Sequence, residues 1–187
     1  MRIRRATAAD AAAIATVHVR SWQGAYPGLI PQSYLDALRP EDRVGAWDET
    51  LSASTWPHSG VIVLLGPAPD DGAREGPVTG FVSFGPTRDE DADATTVGEI
   101  LTFYLDPDAF GSGGADLLMS AALVALGGAR FTAATLWVLS TNARARRFYE
   151  RRGWRPDGSS KLHDWDAFVA TDVRYGIDLA SKRGGPT

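Results

Sequence analysis

The hydrophobic and polar positions of the chain fall into two patterns that alternate along it. Short runs of β-branched, aromatic and aliphatic residues are typical of strands, and apolar residues spaced three and four apart are typical of helices. The predicted strands are "RIRR", "VIVLL", "VTGFVSFG", "VGEILTFYL", "AATLWVL" and "TDVRYGIDL". The predicted helices are residues 8–22, "PQSYLDAL", "EDRVGAWDETLS", the apolar stretch after residue 114 and "NARARRFYERRG". Strands gathered in the middle of the chain between helices predict a mixed α/β sheet.

Capping and turn residues set the boundaries of these elements. Thr7 followed by Asp10 resembles a capping box, and Gly153 suits the left-handed position that ends the last helix. We expect one domain over residues 1–179 and a disordered tail over residues 180–187. The connections are "GPAPDDGAREGP", predicted to be a loop, and the acidic "PTRDEDADATT", predicted to be mobile.

The composition is that of an ordinary globular protein, with 44% hydrophobic and 22% charged residues. Cysteine is absent, which excludes disulfides, a cysteine nucleophile and thiolate-bound metals. The histidines lack the spacing of metal ligands, so we expect no metal. The net charge of −4 disfavours nucleic acid as a partner. No apolar run reaches membrane-spanning length and no secretory core follows "MRIRRATAAD", so we expect a cytoplasmic protein without a membrane partner.

Charge is distributed unevenly along the chain. Acidic residues predominate between positions 70 and 108, and arginines predominate between positions 142 and 161. Such runs are usually solvated surfaces, but they also indicate where a cation or a phosphate could bind.

The stretch "YLDPDAFGSGGADLL" places Gly111, Gly113 and Gly114 between a predicted strand and a predicted helix. Glycine is unfavourable inside a helix, so its repetition here indicates a turn whose backbone approaches a ligand. The first N–H groups of a helix bind anions, although this turn contains no lysine or arginine. A P-loop would need lysine followed by serine or threonine, and a dinucleotide-binding turn would need glycine where Asp116 stands.

Together with "TLWVLSTNARARRFYERRGW", the glycine turn resembles the central half of the GCN5-related N-acetyltransferase family. The family's Q/R-x-x-G-x-G/A element maps onto residues 110–115, where Phe110 departs from the pattern and Gly113 and Ala115 match. The upstream "HVRSWQGAYPGLIPQSYLDAL" resembles the opening helices of one bacterial branch, so the likeness covers most of residues 1–178. The family's second element, N-x-x-x-x-x-[FL]-Y-x-x-x-G-[FW], is complete at Asn142, Phe148, Tyr149, Gly153 and Trp154.

The resemblance implies a mixed, mostly antiparallel twisted sheet flanked by helices, the acyl-CoA N-acyltransferase fold. It also implies acetyl-CoA as co-substrate, held by backbone N–H groups whose dipoles make side-chain cations optional. An acid at position 116 opposes a diphosphate, so we expect modest affinity, with Arg144 or Arg147 near the 3′-phosphate. The implied cofactor-binding residues are Phe103, Tyr104, Leu105, Gly111, Ser112, Gly113, Gly114, Ala115, Asn142 and Arg147.

Two side chains are candidates for the chemistry of acetyl transfer. Glu99, on the strand that leads to the turn, could accept the proton of an amine that is almost wholly protonated at pH 7; alternatively it is an exposed residue at a strand end. Tyr149 matches the family's general acid for the departing thiolate, or is a packing aromatic. A backbone N–H of the strand 103–105 would stabilise the developing oxyanion. Without cysteine, direct attack in a ternary complex is favoured over a cysteinyl acyl-enzyme.

The resemblance implies an acceptor amine on a small molecule or peptide, with Trp22 and Tyr26 bordering the acceptor cleft. We expect His18 to pack beside Trp22, and His163 with Asp164 is a second candidate proton route. Two alternatives stay open: a non-catalytic acyl-CoA-binding or regulatory protein of the same fold, favoured by the missing cations, and transfer of a longer acyl chain. A homodimer through the last strand is compatible with the resemblance, although no residue specifies it.

Overall fold

The strands predicted from the apolar runs join in one seven-stranded sheet. The computed structural model describes residues 1–68, 75–164 and 168–180. Its strands are β1 (Arg2–Arg5), β2 (Gly60–Leu65), β3 (Val78–Pro86), β4 (Val97–Leu105), β5 (Ala133–Leu139), β6 (Arg155–Asp164) and β7 (Val169–Asp178). Its helices are α1 (Ala11–Ala25), α2 (Gln32–Ala37), α3 (Glu41–Ser52), α4 (Gly114–Gly128) and α5 (Ala143–Glu150).

The strands lie in the order β1-β2-β3-β4-β5-β7-β6. Within this sheet β4 and β5 are parallel, and the other neighbouring strands are antiparallel. The mixed, mostly antiparallel sheet that the resemblance implies is therefore confirmed. None of the helices in the described part of the chain is both long and apolar enough to cross a membrane.

Helices cover both faces of the sheet. On one face, α4 and α5 enclose a core that contains Phe84, Leu118 and Tyr149. On the other face, Ile14 of α1 and Trp47 of α3 pack against Phe81 of β3. All of β2 is buried, because a strand covered on both faces needs apolar side chains in both directions.

The parallel strands β4 and β5 diverge halfway along their length. Their register pairs residues 97–100 with residues 133–136 and goes no further. On the other side of β4, Ser83 pairs with Thr102 and Phe84 with Ile100, which leaves Leu101 as the extra residue of a β-bulge. Beyond the bulge β4 stays with β3 and β5 stays with β7, so a wedge-shaped gap opens between β4 and β5.

The capping signals set the helix boundaries as expected, within a few residues. The N–H of Thr7 donates to Asp10 Oδ2 at 2.7 Å, which completes the predicted cap. The first helix begins as a 3₁₀ turn at residues 8–10 and continues as α1, three residues past the predicted end at Trp22. Gly153 has φ 90°, the left-handed conformation predicted for it.

The sequence patterns missed one strand and misjudged one connection. β6 is not predicted, because its exposed, Pro- and Gly-containing sequence lies at the edge of the sheet and pairs only with β7. The prediction that residues 86–96 are mobile is wrong. Arg174 of β7 binds Asp89 at 3.2 Å and Asp91 at 2.6 Å, and these ion pairs fix the connection against the sheet. Half of the predicted loop (residues 69–74) and most of the predicted tail (residues 181–187) lie outside the described residues.

Candidate active site

The gap between β4 and β5 opens into a cavity of about 570 Å³. Its walls come from these two strands, the glycine turn, α5, the end of α1, and β6 and β7. Ser112 and Gly114 lie in the turn without lining the cavity, and Arg147 is exposed on α5 outside it. The predicted site residues that do line it are Trp22, Tyr26, Glu99, Phe103, Tyr104, Leu105, Gly111, Gly113, Ala115, Asn142 and Tyr149.

The glycine turn presents free backbone donors to the cavity. Gly111 and Gly113 have φ of 76° and 84°, a conformation that side-chain-bearing residues rarely adopt. The N–H groups of Gly111, Gly113 and Ala115 donate to no described residue, whereas that of Gly114 donates to Ser112 Oγ at 3.3 Å. Gly114 is required for packing, because a Cβ there would overlap Leu64. Three N–H groups, two in the turn and one in the first turn of α4, are therefore available to an anion.

The cations that the turn lacks are supplied by α5 and the residues that follow it. The Arg144 guanidinium lies 3.9 Å from the centre of the Phe110 ring, and Arg152 forms an ion pair with Asp116. Both arginines line the cavity beside the turn. Positions 110 and 116, which carry no positive charge themselves, are thus each covered by an arginine.

Asn142 positions the start of α5. Its Oδ1 accepts a hydrogen bond from the N–H of Ala145 at 3.0 Å, so it is the N-cap of the helix, one of the two roles considered for it. The same residue lines the cavity.

Strand β4 directs two further donors into the gap. The N–H of Asp106 donates to the carbonyl oxygen of Thr79 at 2.8 Å. Because N–H groups alternate in direction along an antiparallel strand, the N–H of Tyr104 also points toward β3. The N–H groups of Phe103 and Leu105 therefore point toward the gap that β5 has vacated. These two are the candidate oxyanion donors, and Tyr104 is not placed to act through its N–H.

Tyr149 reaches the cavity from α5. Its ring packs between Phe103 and Trp154, with ring centres 6.4 and 6.3 Å away, and it is buried. Its hydroxyl forms no hydrogen bond with another described residue. Burial, and secondarily the neighbouring Tyr104, raise the pKa of Tyr149 above its ordinary value of 10.0. The phenol is therefore protonated throughout the neutral range and can act as a donor.

Glu99 is buried, contrary to the alternative of an exposed strand-end residue, with only 2% of its surface exposed. The backbone N–H of Arg88 donates to its Oε2 at 2.9 Å, and the guanidinium Nη2 donates to its Oε1 at 3.0 Å. Each carboxylate oxygen keeps lone-pair capacity beyond these bonds. Arg88 therefore fixes the orientation of the carboxylate at the wall of the cavity.

Aromatic side chains form the wall on the α1 side. Trp22 is buried, and its ring centre lies 5.2 Å from that of Tyr26. The Trp22 ring centre also lies 6.3 Å from that of Tyr104, and the polar groups of Trp22 and Tyr26 oppose the increase in the pKa of Tyr104 that burial causes. Trp22 and Tyr26 thus lie at the cavity as the resemblance implies, joined through a third aromatic residue.

These features together are those of an acyl-CoA-dependent transferase, and sequence comparison decides the family. The sequence pattern described as "Acetyltransferase (GNAT) family" matches residues 22–154, which include the glycine turn, β4, β5 and α5. This chain belongs to the GNAT family of acetyltransferases. Its enzyme class is therefore that of a GNAT-type N-acetyltransferase.

Relatives and solved structures agree with the family. The chain is 32% identical over 142 residues to the uncharacterized N-acetyltransferase YuaI of Bacillus subtilis, covering 75% of this chain and 72% of YuaI. PaiA N-acetyltransferase of Thermoplasma acidophilum, solved with coenzyme A, has a TM-score of 0.66 at 17% identity, covering 95% and 98% of the two chains. YncA of Salmonella typhimurium, solved with acetyl-CoA, has a TM-score of 0.66 at 19% identity, covering 96% and 94%. The structural likeness confirms the acyl-CoA N-acyltransferase fold.

The histidines of this GNAT chain have separate environments. His18 packs beside Trp22 as predicted and accepts a hydrogen bond from Trp47 Nε1 at 3.3 Å. The Nδ1 of His163 lies 3.3 Å from Asp172 Oδ2, and both residues line the cavity. Within the described ranges, no three side chains of the His, Asp and Glu types gather as metal ligands would.

Sequence reasoning missed the polar residues that complete the GNAT cavity. Arg88, Trp137, Lys161 and Asp172 all line it. Trp137 Nε1 donates to Asp89 at 3.0 Å, so the acidic connection contributes to this wall. One signal was available: Asp172 alternates with apolar residues within "TDVRYGIDL", as a side chain facing a polar site would.

We expect Asp116→Asn to tighten CoA binding about 2- to 5-fold, measured by titration calorimetry. The Asp116 carboxylate forms an ion pair with Arg152 and repels a diphosphate bound at the start of α4. Removing this repulsion should improve the free energy of CoA binding by about 0.5–1 kcal/mol at an exposed position. Asp108→Asn is the matched control, because Asp108 is exposed and pairs with Arg20 instead. Equal CoA affinity in the two variants would show that Asp116 does not weaken the site.

Proposed function

We propose that this protein transfers the acetyl group of acetyl-CoA to an amine of a small molecule or peptide, by direct attack in a ternary complex. One observation carries the proposal: a single cavity joins the free N–H groups of the glycine turn, the Tyr149 phenol and the Glu99 carboxylate. The family fixes the type of reaction, and the presence of acetyl-CoA in the YncA structure makes it the first donor to test.

In the proposed complex, the diphosphate of acetyl-CoA binds at the glycine turn and its pantetheine arm binds along the gap between β4 and β5. The diphosphate would bind the N–H groups of Gly111, Gly113 and Ala115, with Arg144 and Arg152 as neighbouring cations. The pantetheine amides would pair with the edge of β4 that β5 leaves open, as an added strand does. The arginines weaken the case for a non-catalytic alternative, which was motivated by the absence of basic side chains from the turn itself.

The proposed chemistry assigns one role to each polar group. Glu99 accepts a proton from the acceptor ammonium, so that the free amine attacks the acetyl carbonyl carbon; the nitrogen releases its second proton, to the departing thiolate or to water, as the amide forms. The N–H of Phe103 or Leu105 stabilises negative charge on the carbonyl oxygen. When the carbon–sulfur bond breaks, Tyr149 donates a hydrogen bond to the departing sulfur. Because the pKa of Tyr149 lies above that of a thiol, this bond stabilises the thiolate more than it transfers a proton.

Steady-state kinetics on a panel of amines test this function. We expect thiol release that depends on an acceptor, an N-acetylated product by mass spectrometry, and intersecting initial-rate lines, which indicate a ternary complex. Parallel lines would overturn direct attack. Tight CoA binding without transfer to any amine would favour the non-catalytic alternative.

A further inference from the structure

The face of the sheet that carries Glu99 also carries two cations at the cavity. Glu99 of β4 is in register with Thr135 of β5, and Trp137 follows two residues later on the same face. Lys161 Nζ lies 3.9 Å from the centre of the Trp137 ring. Arg88, bound to Glu99, keeps 68% of its side chain exposed and lines the same cavity. Arg88 and Lys161 therefore stand on this wall together with Trp137.

The carboxylates of this wall are already engaged. Glu99 is bound by Arg88, and Asp172 lies against His163. Asp89, beneath Trp137, is bound by Arg174, which is itself buried and also binds Asp91. A polycationic acceptor would have to displace these partners, because every carboxylate named here already has a cationic or imidazole group beside it.

The cations are less engaged than the carboxylates. Lys161 has no carboxylate within ion-pair distance among the described residues, and its ammonium is placed over an aromatic face. The exposed guanidinium of Arg88 retains donors beyond those used by Glu99. An acceptor that brings its own anion would satisfy both cations while its ammonium approaches Glu99.

From this arrangement we propose that the acceptor is a small, amino-acid-like molecule whose anionic group lies beside its amine and is bound by Arg88 and Lys161 over Trp137. The inference rests on the proposed acetyl transfer and adds the class of acceptor. It accounts for two cations at the amine-binding end of a cavity whose carboxylates are already paired.

The test compares matched acceptors that differ only in the anion. The twenty L-amino acids and their carboxamides are assayed beside spermidine with saturating acetyl-CoA. We expect kcat/KM for the preferred amino acid to exceed that for its carboxamide at least 10-fold. In Lys161→Gln this ratio should fall about 5- to 10-fold, through KM for the amino acid, with the carboxamide little affected.

Arg155→Gln is the matched control for loss of a positive charge. Arg155 lies on the same strand as Lys161 but bonds to main-chain oxygens of Glu150 and Trp154 and does not line the cavity. Its variant should keep the acid-to-amide preference of the unaltered protein.

The outcomes separate this inference from the function on which it rests. Preferred acetylation of carboxamides or spermidine would overturn the amino-acid-like acceptor and leave acetyl transfer intact. An unchanged acid-to-amide ratio in Lys161→Gln would remove Lys161 from acceptor recognition. Absence of transfer to every compound, with CoA still bound, would overturn the proposed function and the acceptor class together.

Discussion

Tyr149→Phe should lower kcat for acetyl transfer about 10- to 100-fold while leaving the free energy of unfolding almost unchanged. The expected loss is that of one hydrogen bond to a charged group, about 1.5–3 kcal/mol in the transition state. Stability should persist because phenylalanine keeps the ring contacts with Phe103 and Trp154, and the lost hydroxyl bonds to no described residue. Stopped-flow measurement of thiol release and urea denaturation give the two quantities.

The matched control is the neighbouring Tyr175→Phe. Tyr175 is also buried, but its hydroxyl accepts from Arg146 Nε at 3.0 Å and donates to Glu150 at 2.7 Å, and it does not line the cavity. This variant should lose stability, by roughly 1 kcal/mol, and retain kcat. The opposite pattern, with Tyr149→Phe unstable and fully active, would make Tyr149 a packing residue.

The pKa of Tyr149 adds a second expectation for the same enzyme. Since burial raises the pKa of Tyr149 above 10.0, deprotonation of this phenol should not reduce kcat at any pH below about 9. A fall in kcat between pH 8 and 9 that disappears in Tyr149→Phe would contradict the assigned environment.

The glycine turn and Tyr149 could be predicted because their chemistry is local. A left-handed φ at Gly113 and free N–H groups at a helix start depend on neighbouring residues, and the spacing from Asn142 to Tyr149 lies within one helix. Features that depend only on neighbouring residues can be recognised from the sequence alone. The resemblance to a family then supplied the pairing of the two elements across the sheet.

The wall of the cavity formed by Arg88, Trp137 and Lys161 could not be predicted, because its contacts join distant parts of the chain. Arg174 reaches Asp89 and Asp91 across more than eighty positions, and Arg88 reaches Glu99 only after the connection between β3 and β4 folds back. The acidic connection resembles a solvated loop in composition, and only the buried arginine opposite it shows that it is fixed. β6 could not be predicted either, because an exposed strand at the edge of a sheet has no periodic pattern of apolar residues.

His18 should make the protein lose stability as the pH falls from 6.5 to 4.5. Burial, with a further contribution from the charge of Arg43, lowers its pKa from 6.5 to about 3. Below pH 6.5 the unfolded chain binds a proton that the folded chain does not, so the stabilisation is complete above pH 6.5 and is lost toward pH 3. The slope is about 1.4 kcal/mol per pH unit for one proton, or roughly 2–3 kcal/mol over this interval.

Urea denaturation at pH 6.5 and 4.5 isolates this effect. The carboxyl groups with lowered pKa, such as Asp10 and Asp157, have an ordinary value of 3.8 and so contribute mainly below the interval. We expect His18→Gln, which retains an acceptor for Trp47, to lose about 2 kcal/mol less than the unaltered protein between the two pH values. The exposed His58→Gln is the control and should behave like the unaltered protein.

The same histidine links stability to the aromatic wall of the cavity on the α1 side. The His18 ring stacks on Tyr104, with centres 4.8 Å apart, and the Tyr104 ring in turn contacts Trp22 at the cavity. The buried neutral imidazole therefore supports α1 where it borders the cavity. If His18→Gln loses as much free energy of unfolding between pH 6.5 and 4.5 as the unaltered protein, the buried neutral imidazole is not the cause of acid sensitivity.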